Sequence, residues 1–155
     1  MRTAVTVWFA IFASILAGCS MERQEIREIT LSSGGEVTYT TGHGSTYSVT
    51  FRRDGTAESR NVTTENFVAQ APVVKRARFS TDRFERLAGT IDSNGFFEKK
   101  EEEGHVDDAW QNLKVVSTTG EKTIQTLGRS GDPQIKAMVD AVSNLAGELQ
   151  WDNGN

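Results

Sequence analysis

Near its C-terminus the chain carries an unbroken apolar stripe at helical spacing, made of Ile135, Met138, Val139, Val142, Leu145, Ala146 and Leu149. Asp132 stands where an N-cap is needed and Pro133 suits the first helical position, while Lys136, Asp140, Asn144 and Glu148 fall on the opposite side. A helix of this kind holds only when its stripe is covered, because tertiary packing supplies most of its stability. The rest of the chain must therefore offer a complementary apolar surface. Cys19 is the single cysteine, so no internal disulfide can substitute for that packing.

Alternating runs upstream provide the complement. Tyr47, Val49 and Phe51 share one face of a strand, Asp54-Gly55 supplies a turn, and Thr56 to Asn61 returns, which predicts a β-hairpin. Leu113 to Ser117 and Thr123 to Leu127, flanking Thr119-Gly120, predict a second. Ile29-Thr30-Leu31 predicts a short strand ending at Ser32-Ser33-Gly34-Gly35, and Val37 to Ser45 is compatible with strand or loop. Phe67-Val68 and Val73-Val74, separated by Pro72, suggest one more strand or edge segment ending near Phe79. Between the hairpins, Ser80-Thr81-Asp82 offers N-caps, Phe84, Leu87, Ala88 and Ile91 follow at helical spacing, and Asn94-Gly95 is a left-handed stop with Phe96-Phe97 pinning the helix end. Strands, helix, hairpin and helix in that order predict an α+β domain, an antiparallel sheet built from hairpins with two amphipathic helices packed on one face.

The N-terminus has a different character. Arg2 precedes a run from Ala4 to Leu16 without a charge, and Ala17-Gly18-Cys19 is followed by polar Ser20 to Arg23. That is the layout of an export signal, and the run is shorter than the ~20 apolar residues a comfortable membrane span needs. Leu16-Ala17-Gly18-Cys19 resembles the lipobox of bacterial lipoproteins. The resemblance implies removal of residues 1–18, a thioether diacylglycerol on Cys19 and usually acylation of the new amino group; no other cofactor is expected. Two or three acyl chains hold a protein firmly on a bilayer. With Ser20 rather than Asp after the cysteine, the expected location is the cell envelope, lipid-anchored at the outer membrane and facing the periplasm. The chain then divides into a leader (1–18), the lipidated cysteine with a short polar tether (19–28), one α+β domain (29–151) and a flexible tail (152–155). A tether of about nine residues reaches about 30 Å at most.

Tyr47-Ser48-Val49-Thr50-Phe51 with Asp54-Gly55, Phe84-Glu85-Arg86-Leu87 leading to Gly95-Phe96-Phe97, then a late Asp, a hairpin and a closing amphipathic helix together resemble a family of bacterial envelope domains of unknown function. The resemblance spans residues 29–151 and departs at Ser45-Thr46, where members often carry Cys-Pro. It implies an envelope location and brings no activity with it.

The net charge of −4, one unit more negative once Arg2 is removed, gives no electrostatic footprint for nucleic acid. The two histidines, His43 and His105, are not in a ligand spacing. His105, Asp107 and Asp108 with Glu101 to Glu103 are the weak candidates for a divalent cation, but the run lacks the order of a calcium loop and has Lys99 and Lys100 beside it. A solvated charged loop is the favoured reading. Gly128-Arg129-Ser130-Gly131 and Gly42-His43-Gly44-Ser45 are neither nucleophile elbows nor phosphate loops. Lys75, Arg76 and Arg78 make a small basic stretch, read as one solvated strand face. Trp110, next to the acidic loop, is either a recognition aromatic or a core tryptophan at the sheet margin. The expectation is a non-catalytic binding or scaffold module, possible inhibitors included, that meets an envelope protein or glycan through sheet edge, loops or Trp110. The alternative is an envelope hydrolase using the carboxylates near His105.

Overall fold

The computed structural model describes residues 24–34, 43–100, 110–127 and 131–153. Within them the chain forms β1 (Ile26–Gly34), β2 (Gly44–Arg52), β3 (Thr56–Glu65), β4 (Val68–Ala69), β5 (Val73–Arg78), α1 (Thr81–Ser93), β6 (Trp110–Ser117), β7 (Gly120–Leu127), α2 (Pro133–Glu148) and β8 (Asp152–Asn153). The strands make one sheet in the order β7-β6-β1-β2-β3-β5-β8, with β4 paired on β3, and every pairing is antiparallel. The chain is therefore an α+β domain.

Alternation decides which face is buried. Ile29 and Leu31 on β1, Val49 and Phe51 on β2, Ala57 on β3, Leu113 and Val115 on β6, and Ile124 on β7 all belong to the core. Their neighbours one residue along each strand point the other way. Against this face lie Phe84, Leu87, Ala88 and Ile91 of α1 and Ile135, Met138, Val142 and Leu145 of α2. The opposite face of the sheet carries Thr30, Thr50, Glu58 and Lys114, which are only half-buried.

Local chemistry sets the ends of these elements. At the β2–β3 turn Gly55 has φ +81°, and a Cβ there would stand 2.5 Å from the Phe79 carbonyl oxygen, so glycine is required twice over. The Asp54 carboxylate accepts from the Thr56 amide and hydroxyl at 2.9 and 2.6 Å. The Thr56 hydroxyl, then its amide, with help from Arg52 and Arg78, hold that carboxyl below its ordinary range. Gly95, at φ +70°, ends α1, and the Phe96 amide reaches back to the Ile91 carbonyl at 3.4 Å, which leaves the Phe96 ring fully buried. Asp132 caps α2 by accepting from the amides of Gln134 and Ile135 at 2.8 and 3.3 Å.

The sheet is longer than the sequence pattern suggests at both chain ends. β1 starts at Ile26, inside the segment read as polar tether, and the Ile26 side chain is buried in the core. The register against β6 shifts between Ile26 and Glu28, so a bulge turns Ile26 inward and breaks the two-residue period that would have announced it. At the other end, Asp152 and Asn153 of the segment read as a flexible tail pair with Arg76 and Lys75 of β5. The Trp151 indole N–H donates to the Ala146 carbonyl at 2.9 Å, and this bond brings the chain beside β5.

Candidate functional site

β1 runs away from the point where the chain enters the sheet. Gly34, the first residues of β2, the last of β3, β4, Val73 and Trp110 therefore gather at the far end, about 26 Å away at a rise of about 3.3 Å per residue. The apolar inner face stops short of this end. The cross-strand row Gln111, Ser33, Tyr47, Asn61 and Val73 contains no fully buried side chain. Among the described residues the exposed large hydrophobic side chains are Tyr47 (38% exposed), Phe67 (63%), Val68 (61%) and Val73 (58%), and all four lie here.

On the helix side of this end is a cup of about 350 Å³ lined by Tyr47, Ser59, Asn61, Val73, Lys75 and Trp151. Two adjacent rows build it: Tyr47, Asn61 and Val73 in one, Val49, Ser59 and Lys75 in the next. The depression exists because β3 places small or polar groups, Ala57, Ser59 and Asn61, on the phase that elsewhere carries large apolar ones. Its lining contains no carboxylate, imidazole or thiol, and its titratable groups are the Tyr47 hydroxyl and the Lys75 ammonium.

Beyond the cup, β3 and β4 are joined by a two-residue turn of Asn66 and Phe67, with φ +50° and +63°. Hairpin turns of this handedness favour Asn-Gly, and a bulky residue at the second position is strained. The Phe67 ring is exposed, so the folded core gains nothing from it.

Trp110 lies on the other face, opposite Gly34 in register, and is half-buried there rather than placed in the core. Asn112, two residues along the same face, has its Oδ1 buried without a hydrogen-bond partner among the described residues.

The remaining sequence candidates separate. Cys19, His105, Asp107, Asp108, Glu101 to Glu103 and Gly128 to Ser130 lie outside the described residues. Among those described, no group of three or more His, Cys, Asp or Glu could hold a metal ion, and no helix is long and apolar enough to cross a membrane. His43 is exposed just before β2. The basic stretch is not one face: Arg76 and Arg78 point to the open side, with Arg76 3.6 Å from Glu58, and Lys75 points into the cup because successive strand residues alternate. Lys99 is tied to the cap of α2, its Nζ 2.5 Å from Asp132 Oδ2, and this contact, aided by the Gln134 and Ile135 amides, holds the Asp132 carboxyl below its ordinary range. A second cavity of about 420 Å³ lies at the chain-entry end between Glu25, Arg53, Glu85 and Asp92, where Arg53 is paired with both Glu25 and Glu85.

The cup was not legible as a site in the sequence. Its signal is Ser59 and Asn61 on the inward phase of a central strand, where β1 and β2 carry Ile29, Leu31, Val49 and Phe51. No protein-family model matches the chain, and no curated protein matches it.

Proposed function

We propose that the chain is a non-catalytic binding module of the bacterial cell envelope, lipid-anchored through Cys19 and presenting the far end of its sheet to a partner. The export-type leader and Leu16-Ala17-Gly18-Cys19 support the anchor and the outer-membrane, periplasm-facing location. The observation that carries the binding role is the concentration of Tyr47, Phe67, Val68 and Val73 at the end of the sheet remote from the chain's entry. Exposed apolar side chains scattered singly need no explanation, whereas four at one end mark an interaction surface. Trp110, on the open face of the same end, flanks that surface.

Two measurements test this reading. Wild-type protein incorporates radiolabelled palmitate and fractionates with membranes, and Cys19→Ser incorporates none and either keeps its signal uncleaved or becomes soluble. A photo-crosslinking side chain at Phe67 gives a discrete adduct in cells, whereas one at Lys136, on the solvent side of α2, gives none. Adducts at both positions alike, or at neither, overturn the binding reading.

A further inference from the structure

We infer that the cup at the far end is a saccharide subsite, taking a sugar ring that carries an acidic substituent. This deepens the proposed binding role and rests on it. A pyranose is apolar on its ring faces and polar at its rim, so its receptor needs flat aromatic surfaces edged by hydrogen-bonding groups. The cup has both: Tyr47 and Trp151 are amphipathic aromatics, and Ser59, Asn61 and Lys75 stand between and beside them. Its volume of about 350 Å³ falls within the range of small-ligand sites.

The polar groups are free for a ligand. The Tyr47 hydroxyl, Ser59 hydroxyl, Asn61 amide and Lys75 ammonium make no hydrogen bond or ion pair with other described residues. The indole, by contrast, is already fixed through its bond to Ala146, so ordering it costs a ligand little. No carboxylate lines the cup, so the Lys75 charge is not neutralised there, and this selects an anionic substituent over a cationic one. An added peptide strand is disfavoured, because β8 already occupies the edge of β5 beside the cup, at Lys75 and Arg76.

The test is NMR on the full chain held in a zwitterionic detergent, following tryptophan indole N–H signals. The probes are an N-acetylmuramic acid disaccharide, chitotetraose as a neutral N-acetylated glycan, and maltotetraose. The muramyl probe is expected to shift the Trp151 signal saturably at millimolar concentration while the Trp110 signal stays in place. Lys75→Met is expected to weaken that probe about tenfold and chitotetraose hardly at all, and Asn61→Ala is expected to weaken both. Both residues are exposed, and the unmoved Trp110 signal checks that each variant is folded. No saturable Trp151 shift with either N-acetylated probe, equal shifts with all three, or movement of Trp110 instead overturns the subsite. If the subsite fails while the Phe67 adduct still forms, the binding module stands with a different occupant. Loss of the adduct together with the shift removes both.

Discussion

The Trp110 indole occupies the space that a side chain at position 34 would need: a Cβ on Gly34 would stand 2.7 Å from the ring's Cζ2 and 3.1 Å from Thr46 Cγ2. The two residues face each other across β1 and β6. An aromatic laid over a strand glycine covers backbone that the glycine leaves bare. Gly34→Ala should lower stability by about 1–3 kcal/mol, the usual cost of overpacking, and expose the indole. Chemical denaturation with a red shift of Trp110 emission checks this. Gly147→Ala is the control, since nothing lies within 4 Å of that added Cβ on α2 and helix propensity favours alanine. It should be neutral or slightly stabilising.

Phe67 makes the opposite prediction. Its φ of +63° suits glycine, and its ring is exposed. Phe67→Gly should therefore raise stability by about 1 kcal/mol while abolishing engagement of the far end. A loss of stability on denaturant melting would mean that the ring packs on the domain after all.

Asp132 links the fold to pH. Its carboxyl, lowered chiefly by the Lys99 ammonium, binds its proton less readily in the folded chain than in the unfolded one. The stability it contributes is complete above the ordinary aspartate range near 3.8 and is lost as the pH falls through the lower folded value. Asp132→Asn keeps a capping oxygen but removes the charge, so it should flatten this region of the acid-unfolding curve. An unchanged curve below pH 4 would show that Lys99 and Asp132 are uncoupled.

The phase of α2 is tested by two alanines. Leu145 is buried against the sheet side and Lys136, paired with Asp140, is exposed. Leu145→Ala should cost about 2–5 kcal/mol, and Lys136→Ala should stay within about 0.5 kcal/mol of wild type. Equal effects would mean that the helix is rotated.

The elements with a sustained period were legible in the sequence. The α2 stripe, its Asp132 cap, the Gly95 stop with buried Phe96, and the hairpins around Gly55 and Gly120 all lie where the residues indicated. What the sequence did not disclose is where the period is interrupted or too short to count. A bulge hides Ile26, two residues cannot show alternation at β8, and β4 depends on a strained Phe67 that propensity would have refused. The cup escaped for a further reason: Tyr47, Asn61, Lys75 and Trp151 become neighbours only once the register of three strands and the path of the C-terminus are fixed. Trp110 is legible as a margin residue, yet its relation to Gly34 depends on pairing across some 76 positions of sequence.

The chain enters the sheet through an interior strand. β1 is bonded to β2 on one side and to β6 on the other along nearly its whole length. A pull on the residues ahead of Ile26, directed along the strand, must slide β1 past both neighbours together, so the rungs on each side share the load. An edge strand peeled from its end would instead lose its rungs in succession. If the proposed anchor holds the N-terminal side and the proposed partner engages the opposite end, the sheet would be loaded in shear, and the rate at which it gives way under force, more than its equilibrium stability, would set how long the connection lasts.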